Sequence, residues 1–316
     1  MSAAVARIAS AARPGRVARH GIRLAALAAI VVAGCGGDDP VSPPVGGRTI
    51  RFPRDAATIQ AAVDMATRGD TVLVEAGAHA IDTTVVFRAA NSGVSLVGRL
   101  ESEVGKAAAE RPVLDLGGTT SRSGIVLRST AEDVTIRGLE IRGDSLTVGI
   151  EIFGPGHRLA DCRIVGPSRW GVTCTQAGTT AVIQGNLFIE AGVFGVVCGD
   201  GADAHVIGNT IVGAGDCGIF SSDAAPVCER NIVVESANWG IACFGPDLPT
   251  LSCNALFDNV TADYSPECVP GPSDFHADPI FCDAITYAIA SNSPCAPERS
   301  GACGLIGAVA VGCTPP

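Results

Sequence analysis

The sequence predicts an all-β protein in which short parallel strands coil into a solenoid, a parallel β-helix with three strands per coil. Two observations favour this fold. A unit of 22–25 residues recurs six times, each time beginning with a glycine and a small or β-branched run. Apolar residues alternate within each unit, as they do in strands with one buried face. Because no single unit can bury a core, the units must stack on one another.

The composition supports strands with tight corners over helices. The chain of 316 residues contains 39 Gly, and only 4% of its residues are aromatic. The repeated units begin at Gly124, Gly149, Gly171, Gly195, Gly218 and Gly240.

The inward positions of the three predicted strands align from unit to unit in four columns. The first strand contributes Ile125, Ile150, Val172, Val196, Ile219 and Ile241, followed by Leu127, Ile152, Cys174, Cys198, Ser221 and Cys243. The second strand contributes Ile136, Leu159, Ile183, Val206, Cys228 and Leu251. The third strand contributes Ile141, Ile164, Phe188, Ile211, Val233 and Leu256.

An asparagine recurs at the corner between the second and third strands of the last four units. These residues are Asn186, Asn209, Asn231 and Asn254. Asn tolerates a left-handed backbone, and its amide can bond to the Asn of the next coil. We therefore expect a structural asparagine ladder with left-handed asparagines at its corners.

The N-terminus has the features of an export signal. Residues 1–34 contain five Arg, no acidic residue and the apolar run Leu24–Gly34, which is too short to span a bilayer. The run ends in Val-Ala-Gly-Cys, which resembles the lipobox of bacterial lipoproteins, in which the Cys, here Cys35, receives the lipid. An ordinary signal peptide cut near Gly34 is the alternative. Residues 35–47 are rich in Gly, Pro and Ser and predict a flexible tether.

Charge and cysteine content limit the classes of partner. Removal of the five Arg of the signal leaves 17 basic against 32 acidic residues, a net charge of −15. Such a surface repels nucleic acid and anionic lipid headgroups. Of the 13 Cys, 12 follow Cys35, so we expect disulfides in an exported chain, first among Cys282, Cys295, Cys303 and Cys313. The column of Cys174, Cys198 and Cys243 is interpreted as core packing, not metal ligation.

Residues 48–312 resemble bacterial right-handed parallel β-helix repeat proteins of the pectin-lyase-like superfamily. The resemblance rests on the coils and on Ile50-Arg-Phe-Pro, Ala57-Thr-Ile-Gln-Ala-Ala-Val-Asp-Met-Ala and Gly69-Asp-Thr-Val-Leu-Val. It implies a right-handed solenoid whose N-terminal end is capped by an amphipathic helix, at about residues 55–67. Residues Ile59, Val63, Met65 and Ala66 give this helix an apolar face. A Cys-rich segment, at about residues 268–313, is expected to close the other end.

Two aspartates mark the one place where chemistry is expected. Asp200 and Asp223 follow equivalent first strands, so we expect them to stack about 4.8 Å apart on adjacent coils. They are the candidate catalytic residues, because the resemblance implies that such enzymes act along the first-strand face. With Asp203 they could instead bind Ca²⁺. Solvated turn aspartates are the alternative, since the motifs typical of polygalacturonases are absent from the sequence.

Trp170, Phe194 and Trp239 each directly precede the glycine of a first strand. If these side chains are exposed, the row could stack on sugar rings. If they are buried, the row could fill a corner of the core. His157 and His205 begin second strands, and both are expected to lie at the surface.

These features predict an extracytoplasmic, membrane-anchored lipoprotein, in the periplasm or on the cell surface. We expect a monomeric, non-catalytic module that binds a polysaccharide or another cell-surface component. Its membrane contact would be the lipid alone, with no nucleic acid partner and no required cofactor. A polysaccharide lyase or glycoside hydrolase that uses Asp200 and Asp223 is the alternative.

Overall fold

A computed structural model describes residues 47–98, 111–117, 123–143 and 146–314. The predicted signal peptide, Cys35 and all of the tether except Gly47 lie outside the described residues. Within them, three parallel sheets form the sides of a solenoid, and each full coil adds one strand to each sheet.

The first-strand sheet has eight strands and comprises Val85–Phe87, Ser123–Leu127, Val148–Ile152, Trp170–Thr175, Phe194–Gly199, Cys217–Ser222, Trp239–Phe244 and Ala262–Tyr264. The second-strand sheet has nine strands and comprises Thr49–Phe52, Thr71–Val74, Ser95–Gly98, Thr135–Arg137, His157–Ala160, Thr180–Gln184, Asp203–Ile207, Val227–Glu229 and Thr250–Ser252. The third-strand sheet has nine strands and comprises Ala78–Ala80, Val113–Asp115, Glu140–Arg142, Arg163–Val165, Leu187–Ile189, Thr210–Val212, Ile232–Val234, Ala255–Phe257 and Phe275–His276.

The strand register confirms all four predicted columns. Val172, for example, pairs with Ile150 on one side and with Val196 on the other. The inward side chains form one continuous core along the solenoid, in which Phe188 is the largest member of the third-strand column. The recurrent glycine has a steric cause, because a Cβ on Gly171 would lie 2.4 Å from the carbonyl oxygen of Gly195 in the next coil.

The predicted asparagine ladder is present and fully buried. The Nδ2 of Asn186 donates to Oδ1 of Asn209 (3.0 Å), Asn209 donates likewise to Asn231 (3.1 Å), and Asn231 to Asn254 (3.0 Å). Each Oδ1 also accepts the backbone N–H of the preceding asparagine, at 2.9–3.0 Å. Asp274 ends the row, because its Oδ1 accepts hydrogen bonds from the backbone N–H and from the Nδ2 of Asn254.

The expected left-handed conformation of the asparagines themselves is wrong. The residue before each asparagine has the positive φ instead: Gly185 at 65°, Gly208 at 59°, Arg230 at 57° and Cys253 at 57°. The chain thus turns one residue earlier than predicted, which leaves the asparagine to direct its amide into the stack.

The N-terminal end of the solenoid carries the predicted cap, a helix at Ile59–Met65 that is shorter than expected. Its buried residues are Ile59, Ala62 and Val63, whereas Met65 is 47% exposed, so its predicted place on the apolar face is wrong. Gln60 bonds both the N–H (2.7 Å) and the C=O (3.1 Å) of Val86. The cap thereby satisfies backbone groups of Val85–Phe87, the edge strand of the first-strand sheet.

Cys268, at the start of the predicted Cys-rich segment, lies in the solenoid core, whereas residues 277–314, called the C-terminal segment below, pack along the outer side of the third-strand sheet. Its Ile289, Cys295 and Ile306 form a buried apolar cluster with Ile232 and Val234, which face outward on that sheet. Backbone contacts reinforce the packing, since Gly307 N–H donates to the Arg230 carbonyl (2.8 Å). A short pairing of Ile289–Ala290 with Val311–Cys313 completes the segment, which also contains a 3₁₀ turn at Gly301–Cys303.

The described residues form three disulfides: Cys243–Cys268, Cys253–Cys303 and Cys282–Cys313. The expectation that Cys295 pairs is wrong, since it is a buried free thiol. Cys243, interpreted above as core packing alone, also forms a disulfide. Disulfides form and persist in oxidising compartments, which indicates an extracytoplasmic location. No helix among the described residues is long and apolar enough to cross a membrane.

Candidate functional site

The outer face of the first-strand sheet carries a row of half-buried aromatic side chains. The predicted Trp170, Phe194 and Trp239 are in this row. Phe220 joins it from the intervening strand Cys217–Ser222, and Phe244 from the strand that carries Trp239. The first two share a register position, since Trp170 pairs with Phe194. The expectation that these aromatics could fill a core corner is therefore wrong, because they lie outside the solenoid core.

Four of these side chains, Phe194, Phe220, Trp239 and Phe244, form what we call the aromatic cluster. Phe194 and Phe220 stack at 4.5 Å between ring centroids, with 16° between their planes. Phe220 lies 5.4 Å from Phe244, tilted by 34°. Trp239 meets Phe244 edge-on, at 6.2 Å and 60°. The rings therefore make a continuous apolar surface over three consecutive coils.

Small residues on the same face allow these rings to converge. Ala242 pairs with Phe220 in the sheet and faces outward, yet it is fully buried. Cys217 occupies the register position that Phe194 holds one coil earlier, and it is also buried. Both positions therefore hold small side chains beside the strand positions that carry the rings.

Phe220 and Phe244 were missed by the sequence reasoning, although a signal was present. Phe220 is the second residue after Gly218, and Phe244 is the fourth after Gly240. Alternation with the inward Ile219 and Cys243 places both on the outer face.

Trp170 extends the aromatic surface by one coil beyond Phe194. The Cζ atom of Arg169 lies 4.6 Å from the centroid of its ring, at a distance typical of a cation–π contact. The indole Nε1 is buried and has no hydrogen-bond partner among the described residues.

Asp200 and Asp223 occupy equivalent corners at the end of two neighbouring first strands, so their predicted stacking is confirmed. The strand residues before them, Gly199 and Ser222, pair directly, and Gly201 N–H donates to the Asp223 carbonyl at 2.7 Å. Both aspartates have a left-handed backbone, with φ of 54° and 50°. This corner needs a residue that tolerates positive φ, which gives the two aspartates a structural role. A catalytic role stays a prediction.

The left-handed corner predicts how substitutions at Asp200 affect stability. We expect Asp200→Gly to change the free energy of unfolding by less than about 0.5 kcal/mol, because glycine adopts positive φ without strain. Asp200→Val should cost about 1–2 kcal/mol, because its branched Cβ clashes in this conformation. Urea unfolding of both variants measures the difference. Equal midpoints would show that the corner imposes no such constraint.

The predicted grouping of Asp203 with the corner aspartates is wrong. Asp203 begins a strand of the second-strand sheet and lines a shallow depression of about 490 Å³ on its outer face, together with Asp133 and His205. Within the described ranges, no three His, Cys, Asp or Glu side chains come close enough to share a metal ion. Ca²⁺ binding by Asp200 and Asp223 alone stays a prediction.

His157 lies beneath this depression and is buried, with 1% of its surface exposed, so its expected surface position is wrong. Its Nε2 lies 2.9 Å from the Phe153 carbonyl oxygen and its Nδ1 lies 3.2 Å from the backbone N of Val134. Nε2–H must therefore donate and Nδ1 must accept, which only the neutral ring allows. Burial lowers the pKa of His157 accordingly.

The lowered pKa of His157 makes folding sensitive to weak acid. As the pH falls below about 7, the unfolded chain takes up the proton before the folded chain does, since an unperturbed histidine has a pKa of about 6.5. The free energy of unfolding should therefore decrease with falling pH, by up to about 1.4 kcal/mol per pH unit. Urea unfolding between pH 7.5 and 5.5 should show a weaker decrease in His157→Gln. The matched control is His205→Gln, which removes an exposed histidine of the same depression. Identical slopes in all three proteins would contradict the assignment.

The six free cysteines of the described chain are all buried. Burial raises the pKa of Cys174 to about 12 and that of Cys198 well above its usual range. A thiol of this kind stays protonated at neutral pH, so these residues pack as small apolar side chains.

Comparison with known proteins agrees with this architecture. The family described as a right handed beta helix region matches residues 119–261, the stretch that includes the aromatic row and the corner aspartates. A search of curated proteins found no match. The three parallel sheets give this chain a parallel β-helix fold, and residues 119–261 within it are similar to the right-handed β-helix family.

Proposed function

We propose that this protein is a non-catalytic binding module that holds a polysaccharide on the aromatic cluster. The observation that supports this function is the continuous set of rings on the outer face of the first-strand sheet, over three consecutive coils. The other outward face that carries an apolar cluster, on the third-strand sheet, is covered by the C-terminal segment. Half-buried rings on a face that no other described segment covers are suited to a partner that has apolar C–H surfaces and hydroxyl groups.

The ring geometry indicates which side chain would contact a sugar. Phe194 and Phe220 stack on each other, so each has one face occupied. The planes of Trp239 and Phe244 are inclined by 60°, so the indole is not stacked face to face on that ring, and its area makes it the candidate sugar contact. Thr175 and Ser222, which pair with Gly199 beside the cluster, are half-buried hydroxyl residues that can bond sugar hydroxyls.

Depletion of the protein from solution by insoluble polysaccharides tests the proposal. We expect Trp239→Ala to weaken binding about tenfold or more, which corresponds to about 1.4 kcal/mol. Trp239→Phe should retain part of the affinity, because it keeps an aromatic face. Phe153→Ala is the matched control, since it removes a half-buried ring from the same sheet face, four coils from Phe244. Equal affinity of the Trp239→Ala variant and the wild type would refute the site.

A polysaccharide-degrading enzyme is the second candidate, favoured by one observation. Asp200 and Asp223 lie on adjacent coils at the end of the strands that carry Phe194 and Phe220. A panel of polysaccharides assayed for released reducing sugar and for unsaturated uronate tests it. Activity in the wild type that disappears in Asp200→Asn would establish the enzyme and overturn the non-catalytic proposal. Binding without product across the panel would reject the enzyme.

A lipid on Cys35 would hold this module at a membrane. The lipobox-like sequence before Cys35 and the tether after it support the anchor, and the three disulfides support export. In cells that produce the full chain, we expect the protein to partition into detergent and the Cys35→Ser variant to stay in the aqueous phase. Detergent partition of both proteins would refute lipidation at this residue.

A further inference from the structure

We infer that the ligand of the aromatic cluster is an uncharged polysaccharide, not a polyuronate or a sulfated glycan. This inference rests on the proposed function and specifies its ligand class. It follows from the distribution of charge around the cluster.

The part of the chain that carries the cluster is strongly acidic. From Trp170 to Glu298 the sequence contains 15 acidic residues and one basic residue, Arg230. That arginine lies within 3.5 Å of Glu229, an acidic neighbour. The first strands and corners at residues 193–202, 215–225 and 237–248 contain no Lys or Arg. A polyanion that approached this face would therefore meet unscreened negative charge over several coils.

Carboxylates border the cluster at both ends of its central strand. Asp216 directly precedes Cys217–Ser222, the strand that carries Phe220, and Asp223 directly follows it. Neither aspartate has an ion-pair partner within the described residues. Asp216 Oδ1 accepts from Asn238 Nδ2 at 3.0 Å, which leaves Oδ2 as an open acceptor. Ionised carboxylates only accept hydrogen bonds, so they suit hydroxyl groups and repel uronate or sulfate.

The cationic side chain nearest in sequence to the row is already engaged. Arg169 lies over the ring of Trp170, one coil before Phe194. Because its guanidinium packs on the indole, a single arginine at the end of the row cannot neutralise a polyanion that lies along the cluster. The two bordering aspartates are also separated by a whole strand, about 23 Å at 3.3 Å per residue. They therefore do not converge on one point, as ligands of a cationic group would.

Depletion by four probes at 20 mM and 300 mM NaCl tests the ligand class: an insoluble β-glucan, a galactomannan gel, cross-linked polygalacturonate and chitosan beads. We expect binding to one or both neutral probes, with less than a twofold change in affinity between the two salt concentrations. We expect no binding to polygalacturonate at 20 mM NaCl. Asp223→Asn should bind the neutral probe a few-fold more weakly, because an amide is a weaker acceptor than a carboxylate. Glu235→Gln removes one negative charge at another corner and should leave binding unchanged.

The outcomes separate the two proposals. Polygalacturonate binding, or chitosan binding that disappears at 300 mM NaCl, would overturn the uncharged class. If Trp239→Ala abolished that binding, the aromatic site itself would stand. Binding to no probe, or binding that is equal in Trp239→Ala, would reject the aromatic site and with it the inference about its ligand.

Discussion

Replacing Asn209 by alanine should destabilise the protein by about 3–5 kcal/mol. The backbone N–H and the Nδ2 of Asn186 would lose their shared acceptor, and the carbonyl of Ile183 would lose its donor. All three groups belong to the buried ladder region, where an unpaired polar group costs about 1–3 kcal/mol. Urea unfolding of Asn209→Ala measures the loss.

The ladder also predicts that neighbouring substitutions are coupled. Once Asn209 is absent, Asn231→Ala should cost less than it does in the wild type, because the bond between them is already broken. Asn238→Ala is the control, since the side chain of this half-buried asparagine bonds Asp216 alone among the described residues and its loss should cost less than about 1 kcal/mol. A cooperative ladder would be contradicted if the losses of stability in Asn209→Ala and Asn231→Ala added strictly in the double variant and each were as small as that of Asn238→Ala.

Removal of the Cys253–Cys303 disulfide should destabilise the protein by about 4 kcal/mol. The bond closes a loop of 50 residues and joins the C-terminal segment to the corner before Asn254. The loss of this cross-link increases the entropy of the unfolded chain by about that amount. It should also loosen the segment from the third-strand sheet, which exposes Ile232 and Val234. The double variant Cys253→Ala/Cys303→Ala should therefore unfold at lower urea and be cleaved by protease within the segment.

Cys295→Ala is the matched control, because Cys295 is a buried cysteine of the same segment without a disulfide. We expect it to cost about 1 kcal/mol or less and to retain the wild-type resistance to protease. If the double variant were equally resistant, the packing of the segment would not depend on this cross-link.

The sequence predicted the solenoid at the level of individual strand register. All four inward columns are in register, because a β-helix repeats one alternation and a slip by one residue would turn every core side chain outward. The ladder was predicted for the same reason, since four asparagines at a constant spacing must meet in the stack. Which corner residue adopts positive φ was not predictable from the asparagines, because Gly, Arg and Cys all occupy that position.

The candidate site was predicted only in part. The alternation that places Phe220 and Phe244 outward is in the sequence, but their convergence with Trp239 depends on side-chain angles and on the space above Ala242. The position of the C-terminal segment was also out of reach, because its contacts with the third-strand sheet join residues far apart in the chain. Cys253–Cys303 is an example, since sequence spacing alone does not determine which cysteines pair.

The most direct test of the binding surface uses tryptophan fluorescence. The chain contains two Trp, and both lie on the aromatic row. In Trp170→Phe, the emission reports on Trp239 alone. Titration of this variant with a soluble neutral polysaccharide should give a saturable change in emission, with the same Kd as that measured by depletion. Unchanged emission at concentrations that bind the protein would place the ligand elsewhere and contradict the proposed site.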